Sequence, residues 1–461
     1  MSNNLRLGWR RASVRWLLRM DNPLPPRTDA QLDAERDEHY TWNYTVNLLD
    51  GVFFWFGLSF VSSATILPLF VSKLSDSPVP IALLAVLAQS SWFLPQLFAA
   101  GITERIPRMK PIVINLGFFT ERFPVCLLPV AALISLSNPF LALVIFFVAF
   151  GWHGFGAGLI APAWSSMLAR CFPVERRGRF FGITSFIGTG LGTLGAFVSG
   201  WMLDAFPYPT NFVYIFLVAA VAVFISWGFL ALTREPAGRD EATLPSVRQQ
   251  GQSRRKMLAI VRGDHNFRYF LIARVLSSFA AMGEGFLTVS AVRMWAVSDG
   301  TVAYFTAAML LGQTGGNLLA GFVADRWGHK LSLELGYLGL VVSFGLAWLA
   351  PGPVWFFVVF AVLGIATGTR VVSGILIPLE FARPEHRPSY VGISNTTMGI
   401  GSALAPLAGG LLAWFGYQPL FAVGACLAVA AFVAMHWGVA EPRTNQPFDP
   451  ILGHTQWFSN R

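Results

Sequence analysis

Glu284 lies between Gly283 and Gly285 in an apolar stretch, and Ser277, Ala281, Thr288 and Ala291 share its face at helical spacing. An ionisable group in such a run is costly unless it meets a partner or a water-filled cavity. Glu284 is therefore a candidate to bind a cationic substrate group or to carry a coupling proton; the competing reading is a structural acid paired with an arginine or a backbone group. Arg274 and Arg370 occupy similar stretches. Each could hold an anionic group or snorkel to the inner surface. His153 reads either as a proton relay or as a hydrogen-bonded packing residue. Glu121 and Arg122 are adjacent, so on an α-helix their side chains diverge by about 100° and are expected to find partners elsewhere. Asp50 reads as a helix-end charge.

Neutral polar residues add stripes. Gln89, Trp92 and Gln96 share one face, as do Thr306, Gln313 and Asn317; Ser185, Thr189 and Thr193 form a third, and Asn395 and Ser402 a fourth. Such stripes line cavities or let helices approach closely. Phe53, Trp55, Phe56 and Trp152 suit an amphiphilic substrate, although interfacial belts use the same residue types.

The elements that must carry these residues follow from composition. Of 461 residues, 54% are hydrophobic and only 12% charged. A soluble fold of this size could not hide so much apolar surface. Runs long enough to cross a bilayer, roughly 20 residues each, recur at 46–72, 79–101, 111–136, 139–168, 180–204 and 211–232, spans one to six. Spans seven to twelve are expected at 267–292, 300–322, 331–350, 354–378, 390–415 and 419–440. Runs such as 141–150 are apolar on every side, whereas a membrane β-barrel would alternate, so the expectation is an all-α membrane protein.

Basic residues set the orientation. With both termini in the cytoplasm, Arg105, Arg108, Lys110, Arg176, Arg177, Arg179, Arg326, Lys330, Arg383 and Arg387 all fall in inner loops, while outer loops hold little beyond Lys73 and Arg293. The net charge of +9 is thus a topology signal and not a nucleic-acid footprint. Cys126, Cys171 and Cys426 lack metal-like spacing, and no cleavable signal peptide is evident. No cofactor or metal is expected.

Residues 1–45 form a cytoplasmic basic segment in which Arg11, Arg15 and Arg19 recur every four residues, as in a helix on an anionic leaflet or a disordered basic tail. A six-span half covers 46–233, a cytoplasmic linker 234–266, a second half 267–440 and a tail 441–461. The halves repeat. Gln96-Leu97 and Glu104-Arg105 recur 221 residues later as Asn317-Leu318 and Asp325-Arg326, and Glu175-Arg176-Arg177 recurs after 210 as Glu385-His386-Arg387. Ordered matches at near-constant offset imply two parallel bundles about a pseudo-two-fold axis, with a site between them.

Gly321-Phe322-Val323-Ala324-Asp325-Arg326-Trp327-Gly328-His329-Lys330 resembles the loop signature of the major facilitator superfamily, Gly-x-x-x-Asp-Arg-x-Gly-Arg-[Lys/Arg], with His329 for Arg. A degenerate copy spans 101–110, where Glu104 and Arg105 hold the acid and base positions. The resemblance implies twelve transmembrane helices in two pseudo-symmetric six-helix bundles. It implies a cytoplasmic gating role for Asp325, Arg326, Gly328, Lys330, Glu104 and Arg105. It also implies a central cavity lined by Glu284, His153, Trp152, Gln89, Gln96, Gln313, Asn317, Arg274, Arg370 and Asn395. The proton-coupling arginine of span four is missing, with Phe150 in its place, and span five lacks the antiporter proline, with Ala196 there.

The expected function is a monomeric secondary transporter of a small, amphiphilic molecule in the inner membrane, working by alternating access with proton coupling. The alternatives are an uncoupled facilitator and a non-transporting sensor or assembly factor. No nucleotide loop of the Gly-x-x-x-x-Gly-Lys-[Ser/Thr] type is present, and an enzyme is not expected.

Overall fold

The computed structural model describes residues 27–103, 108–236, 259–382 and 387–443. The basic stretch 5–20, most of the linker, and Glu104 and Arg105 lie outside the described residues. Spans two to twelve are Pro78–Thr103, Ile112–Leu133, Pro139–Cys171, Val174–Ala205, Thr210–Ala231, His265–Trp295, Asp299–Trp327, His329–Leu349, Trp355–Glu380, Arg387–Ala413 and Tyr417–Gly438. Among the described residues, eleven helices are long and apolar enough to cross a membrane.

Span one departs from the continuous run expected over 46–72. It is two helices, Tyr40–Ser59 and Ile66–Leu74, with a break between. At the break Phe60 N bonds to Gly57 O, three residues back, and Leu67 N reaches past one turn to Ser62 O. Ser62, Ser63 and Thr65 fall in this stretch, and hydroxyl side chains offer the backbone local alternatives to the helical ladder.

Among the described residues, contacts form two compact units, one within Met1–Val61, Ser91–Gly195 and Ala205–Leu244, the other within Ser62–Ser90, Ala196–Asp204 and Pro245–Arg461. In the first unit, span one packs on span six through a buried polar stripe, Asn43, Asn47 and Asp50, at spacings that keep one helix face. Thr233 Oγ1 donates to Asn47 Oδ1 at 3.3 Å, and Phe53 stacks on Phe229 at 5.7 Å. Span three is irregular. π-Turns cover Ile112–Leu116 and Phe118–Arg122, a 3-10 turn covers Phe123–Cys126, and α-helix resumes at Leu127. Pro124 and Pro129 remove backbone donors from the second half of this helix, which accounts for the interruption of the ladder around Phe123–Cys126.

In the second unit, spans eight and ten touch backbone to backbone. Gly312 and Gly316 of span eight face Ala361 and Ile365, and Gly364 and Gly368 of span ten face Met309 and Gln313. A Cβ at Gly368 would lie 2.6 Å from Gln313 O. Small residues four apart on both partners give this approach, which in lipid supplies the packing that the hydrophobic effect cannot. The second helix of span one belongs here too, with Ile66, Leu67, Leu69, Phe70 and Val71 fully buried. Its neighbourhood is tied down by Thr65 Oγ1 to Thr306 Oγ1 at 2.5 Å, Lys73 Nζ to Asp299 Oδ1 at 2.8 Å and Arg293 Nη2 to Asp76 Oδ1 at 3.2 Å.

Candidate functional site

Spans seven and ten bring two expected site residues together. Arg370 Nη2 donates to Glu284 Oε1 at 3.0 Å. A 3-10 turn, Ala281–Gly283, interrupts span seven just ahead, so Glu284 opens the helix Glu284–Trp295 with its carboxylate at the positive end of that segment. Arg370 Nε also donates to Ala366 O at 3.3 Å. Both side chains are half-buried.

Arg274, about two helical turns before that 3-10 turn, does not snorkel: it is only 8% exposed. Its guanidinium rests on Gly374 of span ten, where any side chain would collide with Nη1. Phe270 lies 5.8 Å from it, ring centroid to Cζ. Among the described residues, Arg274 Nε is buried without a hydrogen-bond partner, and the ionisable groups that face the side chain are Tyr337 and Arg370.

The Glu284–Arg370 pair has a measurable consequence. Glu284→Gln strands Arg370, and Arg370→Gln strands Glu284, whereas the double substitution removes both charges. Thermal unfolding of the three variants is expected to give a coupling of about 1–3 kcal/mol, between the values for exposed and fully buried pairs. A coupling indistinguishable from zero would show that the pair does not form.

The first unit holds a second buried charge group that sequence reading treated piecemeal. Ser226 Oγ donates to Asp50 Oδ1 at 2.6 Å, and Arg122 Nη2 is 4.0 Å from the same oxygen. Arg122 Nε lies 3.3 Å from Glu121 Oε2, and its guanidinium stands 4.7 Å over the Phe54 ring. Asp50, Glu121 and Arg122 are 6%, 4% and 5% exposed. Asp50 is thus no helix-end charge. Glu121 and Arg122 pair with each other despite being adjacent, because both side chains are long and Arg122 sits where the π-turn passes into the 3-10 turn. His153 Nδ1 is 2.7 Å from Glu121 O; a carbonyl only accepts, so the ring donates from Nδ1.

The other expected residues are more dispersed. Gln96 Nε2 donates to Trp92 O one turn back at 2.9 Å, and the side chain of Gln89 lies outside the described residues. Gln313 and Asn317 are half-buried, with their backbones under Gly364 and Gly368. Trp152 is exposed and lies 6.3 Å from Phe123, ring to ring; Asn395 is exposed.

In the loop between spans eight and nine, Asp325 and Arg326 are exposed, and the Arg326 guanidinium stacks on Phe322 at 4.9 Å. Gly328 has φ +93, a backbone that disfavours any side chain, and the Glu441 carboxylate fills the space where its Cβ would be. Lys330 Nζ reaches Glu334 Oε1 at 3.5 Å and donates to His436 O at 3.1 Å. Burial, with Glu380 nearby, pushes the Glu441 carboxyl up.

Glu441 has a counterpart that sequence reading missed. Glu235 accepts from Met109 N at 3.0 Å, Lys110 N at 2.8 Å and Arg170 Nη1 at 2.8 Å. Asn43 bonds both the N–H and the carbonyl of Arg234, and Asn266 does the same to Ala440. The signal was present: Glu235-Pro236 recurs as Glu441-Pro442 after 206 residues, close to the repeat offset.

A sequence profile of the Major Facilitator Superfamily matches residues 122–294 and 275–459. The chain belongs to the major facilitator superfamily. Its relatives include the 3-(3-hydroxy-phenyl)propionate transporter of Escherichia coli, 32% identical over 162 residues, which is 34% of this chain and 38% of that protein. The multidrug resistance protein MdtG of Salmonella choleraesuis is 29% identical over 154 residues, 33% of this chain and 36% of its own. The matched regions therefore span under two fifths of those relatives' lengths. Solved structures share the superfamily fold. The nucleoside transporter NupG aligns with a TM-score of 0.61 at 16% identity, over 85% of this chain and 98% of its own. A D-xylose-proton symporter aligns with a TM-score of 0.60 at 16% identity, over 88% and 99%. This superfamily member is a multi-pass helical membrane protein with the twelve-span fold.

Proposed function

We propose that this protein is a secondary transporter of a small amphiphilic molecule, working by alternating access in the inner membrane with both termini cytoplasmic, and coupled to protons. The coupling rests on the group around Asp50. Two carboxylates, Asp50 and Glu121, stand against one guanidinium, Arg122, all of them buried within spans. One negative charge in excess is expensive in that environment, so the group takes up a proton and must release it when its surroundings change. His153, with Nδ1 committed to Glu121 O, has Nε2 as its remaining proton-accepting atom. Glu284 has a different task, since Arg370 neutralises it: it holds Arg370 in place.

The names of the relatives support an amphiphilic cargo, one being a transporter of an aryl propionate. The arginine-rich loops support the orientation. Alternating access needs contacts that break, and the two halves, 46–233 and 267–440, would supply the moving bodies. On the outer side these contacts are Lys73 with Asp299 and Asp76 with Arg293. On the cytoplasmic side the gating role falls to the loop of Asp325, Arg326, Gly328 and Lys330 and, by the sequence repeat, to Glu104 and Arg105. The protein acts as a monomer.

The test is proton movement driven by cargo. Proteoliposomes holding a trapped pH dye receive a gradient of transported molecule with no initial pH gradient. The internal pH is expected to shift, and to stay constant in protein-free vesicles. Cargo flux without a pH shift would mean an uncoupled facilitator, and binding without flux a sensor.

A further inference from the structure

We propose that Arg274 and Tyr337, with Arg370 beside them, form a socket for the anionic group of the substrate, so that the transported molecule is a small organic monoanion such as a carboxylate; this rests on the transport reading above.

Charge is the first observation. The cluster contains two guanidiniums, Arg274 and Arg370, and one carboxylate, Glu284, which is engaged by Arg370 at 3.0 Å. One positive charge is left over, and it belongs to Arg274, a side chain more than nine-tenths buried. An isolated charge in such a place is tolerated only where a counter-ion arrives. Among the described residues no acid lies within ion-pair reach of Arg274; Tyr337 and Arg370 are what face it.

Hydrogen bonding gives the same answer independently. Arg274 Nε and Tyr337 Oη are both buried and both lack a partner of regular geometry, although Ser277 lies beside the phenol. Ser277 and Ser278 donate their hydroxyl protons to the Arg274 carbonyl, at 2.8 and 3.1 Å, and Arg274 Nε bonds to neither of them. Buried donors of this kind are rarely left open, and here two of them, on spans seven and nine, attend one surplus cation. An acceptor with negative charge would satisfy all three conditions. A carboxylate fits best, since its two oxygens match the fork of a guanidinium and leave a lone pair for a phenol O–H. Gly374 permits the arrangement by letting the guanidinium lie on the backbone of span ten. The surroundings, Phe270, Leu271 and Ile377, are apolar, which suits a monoanion with a hydrophobic body better than a polyanion.

The two units then have complementary deficits. The Asp50 group lacks one positive charge and the Arg274 group one negative charge. A proton in the first and a monoanion in the second neutralise both, which leaves each buried group electrically balanced and favours movement of both ligands in the same direction.

The test uses the purified full chain with acetate and 3-phenylpropionate as probes, against acetamide and 3-phenylpropanamide as neutral isosteres. Both carboxylates are expected to raise the melting temperature of wild type, with 3-phenylpropionate binding more tightly, and the amides to leave it unchanged. Arg274→Gln should weaken 3-phenylpropionate at least tenfold, and Arg274→Lys should keep part of the response. Without ligand, Arg274→Gln should melt no lower than wild type, because it removes an unmatched buried charge; a purely structural arginine would give a lower melting temperature. The inference is overturned if carboxylates and amides act alike, if neither carboxylate stabilises wild type, or if Arg274→Gln binds normally or melts markedly lower without ligand. Flux separates the two readings. Arg274-dependent binding with no flux of labelled 3-phenylpropionate would leave the socket standing and remove transport. Flux of neutral or cationic compounds alone would do the reverse.

Discussion

Arg122→Leu is expected to be the most destabilising single substitution among the buried charges of the first unit. It leaves Asp50 and Glu121, 6% and 4% exposed, facing each other with no cation between them. Removing one partner from a buried ionic group typically costs about 3–5 kcal/mol, because the stranded charge keeps its desolvation penalty. A triple variant, Asp50→Asn with Glu121→Gln and Arg122→Leu, strands nothing and should recover most of that loss. Thermal unfolding in one detergent compares the three proteins. If Arg122→Leu alone lowers stability by less than about 1 kcal/mol, the charges are solvated and the group is not the buried site described here.

Asp50→Asn is expected to uncouple transport. The amide can still accept from Ser226 and still packs between spans one and six, but it cannot gain or lose a proton. Cargo should continue to exchange down its own gradient while losing its response to an imposed pH gradient. The effect is large, since each pH unit is worth about 1.36 kcal/mol per proton, or about tenfold in accumulation. Glu121→Gln is the informative companion. If it uncouples and Asp50→Asn does not, the proton resides on Glu121, and if neither does, coupling lies elsewhere.

What could be read from the sequence follows from what lipid demands. Twelve long apolar runs and a repeated Asp/Glu-Arg loop were visible because a bilayer enforces length and positive loops. The break in span one was not, because the apolar side chains on either side of residues 60–65 look the same in a continuous helix as in a broken one. Glu284, Arg274 and Arg370 stood out by type. Yet the pairing of Glu284 with Arg370 depends on helices meeting across a separation of 86 positions, and periodicity carries no such information. Asp50 was misjudged because its position near the start of a span suggested an exposed end; the stripe it completes with Asn43 and Asn47 would have placed it inside. The Glu-Pro pairs after spans six and twelve were legible as part of the repeat. Their role, capping the helix start at Met109 and Lys110 in one half and covering Gly328 in the other, required coordinates.

The central claim, a proton and an organic monoanion moving together, is tested most directly by accumulation of labelled 3-phenylpropionate in proteoliposomes under a graded pH gradient. Because the neutral acid crosses lipid unaided, uptake is read as the initial rate above that of protein-free vesicles; the protein should speed filling of the alkaline side, towards about tenfold accumulation per pH unit for one proton per anion. Because the pair is electroneutral, clamping the membrane potential with valinomycin and potassium should leave that rate unchanged. A protein-dependent rate that stays the same whatever the pH gradient would contradict the account.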